Sequence, residues 1–284
     1  MQVFRQKNAK NLSFSLHTHI YKEINIKTMT DKIQTFKQEL ARVFDDNLHT
    51  KQWHIRIMTM NQVANLIQTK LPNYACIADC EFNKLYNHQW NESRYINWDK
   101  NHKNRPFDKL KERCGKVPLT RTMLINLFKT GNYQDGFLCA MIWGGIGVHN
   151  RNNTLDSIFS GKAQQCVKGA ISLLQQGKIQ DAYNSLLDGD NYIEYIGESF
   201  FTKLLYFAGA SITNPPLNPQ PLIFDNVLKG VYGKIKGYAP KNNDVATYLS
   251  YCSDMETLRQ LLNLPTAGHV EALLFSPGIQ AYLF

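Results

Sequence analysis

Apolar residues recur at spacings of three and four over residues 32–45, 60–70, 119–130, 136–143, 165–177 and 178–188. This is the period of helices that bury one face. Alternation with a period of two is scarce, and Trp53, Ile55 and Ile57 form one short candidate strand. Breakers concentrate in two places. Gly144-Gly145-Ile146-Gly147 is followed by Asn150, Asn152 and Asn153, and residues 213–221 carry four prolines. Prolines at that density forbid a continuous helix and favour an extended connector. No internal repeat or low-complexity tract interrupts the chain. The pattern predicts an all-α fold made of two helical lobes.

Composition narrows the class. The chain has 284 residues, 43% of them hydrophobic, with 15 Phe, 14 Tyr and 4 Trp. A sequence this apolar and aromatic folds, and at this length it buries a sizeable core. No uncharged apolar run is long enough to cross a bilayer, so no membrane span is expected. Six cysteines spread over the chain do not make a disulfide scaffold and suit a reducing, cytoplasmic setting.

The net charge of +9 points towards a polyanion. Its distribution matters more than its sum. Residues 1–28 hold a net +4, lack a long apolar h-region, and read as a disordered basic extension, or alternatively a targeting or DNA-binding arm. Thr30 and Asp31 then mark a helix start ahead of Ile33, Phe36, Leu40 and Phe44. Residues 98–121 hold eight basic and three acidic residues, and Lys229, Lys234, Lys236 and Lys241 form a second basic stretch. Residues 181–198 carry five carboxylates and no Lys or Arg. Basic clusters of this kind are solvated faces unless the fold brings them into one phosphate-tracking groove.

Candidate chemistry lies in residues 191–209, which read as a helix ending at Ile193 and Ile196, a tight glycine turn and a second helix. Gly197 is the expected site of positive φ and Ser199 the expected N-cap. Such a turn offers backbone N–H groups of Gly197, Glu198 and Ser199 to a phosphate. Lys203 follows within an apolar run of Phe200, Phe201, Leu204, Leu205, Tyr206 and Phe207. It either snorkels to water or is desolvated, and desolvation would make its amine a nucleophile able to form a Schiff base. Downstream, Leu222-Ile-Phe is an apolar plug ahead of Asp225, an expected N-cap that stays ionised at a helix N-terminus. Asp225 is a plain cap, or a fixed carboxylate that stabilises a developing cation.

The order Gly197-Glu-Ser-Phe-Phe-Thr-Lys203 followed by Leu-Ile-Phe-Asp225 resembles the helix-hairpin-helix DNA glycosylase superfamily, closest to its bacterial 8-oxoguanine DNA glycosylase-fold proteins and their archaeal relatives. Phe137-Leu-Cys-Ala-Met-Ile-Trp143-Gly-Gly-Ile-Gly and Gly268-His-Val-Glu-Ala-Leu-Leu-Phe275 are similar to segments of the same group. The resemblance covers roughly residues 117–284, leaving residues 29–116 as a poorly matched N-terminal helical region. It implies a base-flipping enzyme acting on double-stranded DNA that contains a modified base. Lys203 would be the nucleophile and Asp225 its electrostatic partner, with strand nicking by AP-lyase chemistry. Gly197, Glu198, Ser199, Lys229, Lys234 and Lys236 would contact DNA. Trp143, Gly144 and His149 would line the base pocket, although Trp143 reads equally as core.

The sequence departs from that family at Ser199, where the second hairpin glycine usually stands. Only Cys252 lies beyond the hairpin, so a four-thiolate iron–sulfur cluster is excluded. Cys76-x3-Cys80 with His88 lacks a fourth zinc ligand, and no metal or cofactor is expected. The implied substrates are oxidised guanine or a hypermodified base of invading phage DNA, the latter an antiviral role. Two other readings are a non-catalytic helix-hairpin-helix DNA-binding protein and a monofunctional glycosylase using Asp225 and water.

Overall fold

A computed structural model describes residues 57–85, 110–112, 118–146 and 152–284. The expected helix over 32–45, the strand reading at Trp53 and Ile55, and residues 1–28 lie outside them. So do His88, His149, and all the charged residues of the basic run 98–121 except Lys111, Glu112 and Arg121.

Twelve helices are named among the described residues, with no strand. They are α1 (Met60–Lys70), α2 (Tyr74–Phe82), α3 (Arg121–Lys129), α4 (Tyr133–Trp143), α5 (Asn152–Phe159) and α6 (Gly161–Gln175). There follow α7 (Ile179–Leu187), α8 (Glu198–Ser211), α9 (Asn226–Lys236), α10 (Val245–Leu262), α11 (Ala267–Phe275) and α12 (Pro277–Leu283). The apolar period located those at 60–70, 119–130, 136–143, 165–177 and 178–188 to within a few residues. No helix here is long and apolar enough to cross a membrane.

Local chemistry explains most boundaries. Thr59 and Gln62 form a reciprocal capping box at α1. Ser160, Asp225 and Asp244 cap α6, α9 and α10 through side-chain oxygens. Gly237 ends α9 in the left-handed conformation at φ 72°.

Helix α8 is the centre of one lobe, packed against α3, α4, α6 and α7. It is buried nearly all round, from Glu198 through Gly209, as expected for a core helix rather than an amphipathic surface one. The other lobe joins α1 and α2 to α10 and α11, with α9 and α12 against them. The extended stretch 221–225 runs from the α8 side to α9 and carries Asp225.

One expectation about the hairpin is corrected. The first helix ends at Leu187, and residues 188–197 form a ten-residue irregular loop, so Ile193 and Ile196 are buried loop anchors rather than a helix end. The left-handed residue is Tyr195 at φ 63°, not Gly197. Gly197 is extended (φ −81°) and is itself the N-cap of α8, which puts Ser199 inside the first turn. The chain reverses before the helix begins, so the cap position needs no positive φ.

Candidate active site

The apolar run around Lys203 is core, and the lysine is buried with it at 5% exposure. Its Nζ donates to the Ser199 carbonyl at 2.5 Å, lies 3.6 Å from Asp225 Oδ2 and sits 5.2 Å from the Phe200 ring centroid. Burial lowers the amine below its ordinary 10.5, and the Asp225 carboxylate opposes that shift. Glu271 also opposes it and Arg121 reinforces it. Asp225 accepts the N–H groups of Val227 and Leu228 at 3.1 Å each, which fixes its carboxylate at the α9 N-terminus.

Gly144 ends α4 directly against this lysine. A Cβ there would lie 2.7 Å from Lys203 Cδ and 2.9 Å from Cε. A larger residue there would have to displace the lysine side chain, although the backbone (φ −75°) would accept one.

Two buried ion pairs flank Lys203 and Asp225. Arg121 Nη1 meets Glu271 Oε1 at 2.6 Å with both side chains almost wholly enclosed. The guanidinium lies 5.0 Å from the Trp143 ring and 5.1 Å from that of Tyr206. Glu271 Oε2 accepts the Ile223 N–H at 2.7 Å. Burial pushes the Glu271 carboxyl up, against the opposing pull of Arg121 and that N–H. The second pair is Glu198 with Lys229. Glu198 also accepts from the Tyr183 hydroxyl and the Asn243 N–H, and Lys229 donates to Asn242 Oδ1 at 2.8 Å.

Several expected site residues are therefore interior groups. The side chains of Glu198 (4% exposed) and Lys229 (8%) face each other inside the protein. Trp143 is buried in the core, edge-to-face with Phe207 at 5.3 Å. Arg121 belongs to the buried pair and not to a basic surface. Lys236 is held by Asp254 at 3.0 Å, Lys234 is exposed, and Gly197 is exposed at the α8 N-terminus. Asp188, Asp190 and Glu194 are exposed on the loop leading to that terminus. Cys76 and Cys80 are exposed thiols, and no group of three metal-ligating side chains occurs among the described residues.

The arrangement is a helical protein with a desolvated amine held beside a carboxylate that caps a helix. A protein-family model described as "Putative 8-oxoguanine DNA glycosylase OGG-like protein" matches residues 84–275. The chain belongs to that family, which is of DNA-glycosylase type with DNA as the substrate class. The match begins at residue 84, upstream of the 117 from which the resemblance was legible in sequence. No curated protein and no solved structure matches the chain.

Proposed function

We propose that the protein excises a modified base from duplex DNA, using Lys203 as nucleophile and Asp225 as electrostatic partner. The observation that carries this reading is the Lys203 amine, 5% exposed and 3.6 Å from the Asp225 carboxylate. Burying a lysine is costly because it desolvates a charge, and Asp225 lies farther from Lys203 than Glu198 does from Lys229, so it offsets that cost less. A nucleophile gains a larger neutral fraction at working pH.

The neutral amine attacks C1′ of a flipped nucleotide while the glycosidic bond breaks and the base leaves with the electron pair and takes up a proton. Asp225 stabilises the positive charge that develops at C1′. Sugar-ring opening converts the amine adduct to a Schiff base, and β-elimination expels the 3′ phosphate. The N–H groups of Gly197, Glu198 and Ser199 at the α8 N-terminus seat a DNA phosphate. The exposed acidic loop beside them leaves that contact to the backbone, with Lys234 the nearest exposed lysine beyond Asp225.

The test is a screen of duplexes bearing 8-oxoguanine, hydroxymethylcytosine or glucosylated hydroxymethylcytosine, comparing wild type with Lys203→Gln and Asp225→Asn. Base release with a borohydride-trappable adduct is the expected result for one of these classes. Release without nicking would identify a monofunctional enzyme using Asp225 and water. Activity on none of them, with no adduct on abasic-site DNA, would remove the catalytic reading.

Gly144→Ala is expected to slow adduct formation about tenfold or more while leaving the thermal midpoint nearly unchanged. The added methyl meets the flexible end of Lys203, so the lysine moves rather than the backbone. A small displacement of a reacting atom costs far more rate than stability. A large fall in the midpoint with an unchanged adduct rate would refute it.

A further inference from the structure

Residues 221–225 run extended and pair with no strand among the described residues. Leu222, Ile223 and Phe224 are buried, so their N–H groups need acceptors inside the protein. Three helices supply one side chain each. The Leu222 N–H reaches the Tyr248 hydroxyl at 3.2 Å, the Ile223 N–H reaches Glu271 at 2.7 Å, and the Phe224 N–H reaches Thr202 Oγ1 at 3.1 Å.

Thr202 differs from the other two anchors. It is wholly buried in α8, and its hydroxyl donates to the Glu198 carbonyl one turn back at 2.7 Å. That back-bond is ordinary for a helical threonine. It also fixes the hydroxyl so that its lone pairs are offered to the Phe224 N–H. Thr202 and Phe224 are the chain neighbours of Lys203 and Asp225. One hydrogen bond therefore links the residue before Lys203 to the residue before Asp225. Tyr248 and Glu271 act further back along the connector and from other helices.

We propose that Thr202 is a positioning residue that sets the separation between the Lys203 amine and the Asp225 carboxylate. The inference rests on the reading of those two groups as the reacting pair. Without the Thr202 acceptor, the Phe224 peptide is released from α8, and Asp225 is held only by its own helix and the more distant anchors. The amine and carboxylate then drift apart while the DNA-facing surface is untouched.

The experiment compares the 284-residue chain with its Thr202→Val, Thr202→Ser and Tyr248→Phe variants. Valine keeps the shape and removes the hydroxyl. Serine keeps the hydroxyl. Phenylalanine removes both bonds of the Tyr248 hydroxyl to the same connector, the one it accepts from the Leu222 N–H and the one it donates to the Leu222 carbonyl, three residues from Asp225. The first measurement is the single-turnover rate of borohydride-trapped adduct on abasic-site DNA, with DNA affinity measured beside it. Thr202→Val is expected to lower that rate by about tenfold to a hundredfold at unchanged affinity. Thr202→Ser and Tyr248→Phe are expected to retain the wild-type rate. Equal rates for Thr202→Val and wild type would overturn the proposal, as would an equal loss in Tyr248→Phe or in Thr202→Ser.

A second measurement does not need activity. The Lys203 Nζ signal, assigned by its loss in Lys203→Gln, is titrated by NMR. Asp225 and Glu271 favour its ammonium, and Arg121 and burial disfavour it. A longer distance to Asp225 therefore moves the midpoint down. The midpoint is expected to fall in Thr202→Val and hold in Thr202→Ser. If the wild type forms no adduct on any DNA, the catalytic reading is lost and this titration still decides the role of Thr202. An unchanged midpoint in Thr202→Val overturns it.

Discussion

Lys203→Gln is expected to abolish the borohydride-trapped adduct and to lower base excision by at least roughly 10⁴-fold, the scale of losing a covalent nucleophile. Glutamine is one atom shorter, keeps an aliphatic stem and a polar donor, and carries no charge, so it fits the space of Lys203 in α8. Its amide nitrogen is not nucleophilic, and the two paired lysines of α9 are not free to replace it. Lys229 is committed to Glu198 and Lys236 to Asp254. DNA affinity should change little, because Lys203 is buried and not a surface phosphate contact. Retention of the adduct would transfer the role to another amine and refute the assignment.

The same amine sets the pH dependence. Attack requires the neutral form, and burial lowers the Lys203 pKa below 10.5. The adduct rate should therefore rise with pH and level off once the amine has lost its proton, below the pH at which an exposed lysine would. Asp225→Asn removes a charge that favours the ammonium, so this limb should move to lower pH. The plateau should fall about 10²–10³-fold as stabilisation of the developing cation is lost. A limb that moved upward instead would contradict the placement of Asp225 beside the amine.

These assignments divide sharply by sequence distance. Asp225 was legible because an aspartate between an apolar plug and a periodic helix has a local reason to cap, and it caps Val227 and Leu228 as expected. The helices at 60–70 and 178–188 were legible because one buried face repeats every three to four residues. The fate of Lys203 was not, since an apolar run is compatible with snorkelling. Burial followed from α8 being enclosed by α3, α4, α6 and α7. Arg121 closes a run of surface-like lysines in the sequence, and its carboxylate partner Glu271 lies 150 residues away. Glu198 and Lys229 resembled solvent-facing charges for the same reason. The turn was misplaced because Tyr195, a residue with no intrinsic preference for positive φ, holds the left-handed position while the nearby glycine does not. Periodicity and caps are local and survive in the sequence. Burial of a charge depends on a distant partner and does not.

Removing one member of the Arg121–Glu271 pair should therefore be the most destabilising single change outside the reacting groups. Glu271→Ala leaves a guanidinium enclosed at 2% exposure without its carboxylate, which costs about 3–5 kcal/mol. It also strips the acceptor from the buried Ile223 N–H, a further ~1–3 kcal/mol. The whole fold is worth only about 5–15 kcal/mol, so the variant should unfold readily. A loss of about 4 kcal/mol would lower the thermal midpoint by roughly 8–16 °C. Glu271→Gln keeps an acceptor for Ile223 and should fall between the alanine variant and wild type. The double variant Arg121→Met with Glu271→Met removes both charges at similar volume, and should be more stable than Glu271→Ala despite carrying one more substitution. Denaturant unfolding of the four proteins measures this ordering. If the double variant were the least stable, the pair would be a net source of stability. If Glu271→Ala unfolded like wild type, Arg121 would have another route to solvent or charge. The expected order instead assigns the pair to specificity of fold, because Glu271 bonds the connector two residues before Asp225 and so couples α3 and α11 to the carboxylate beside Lys203.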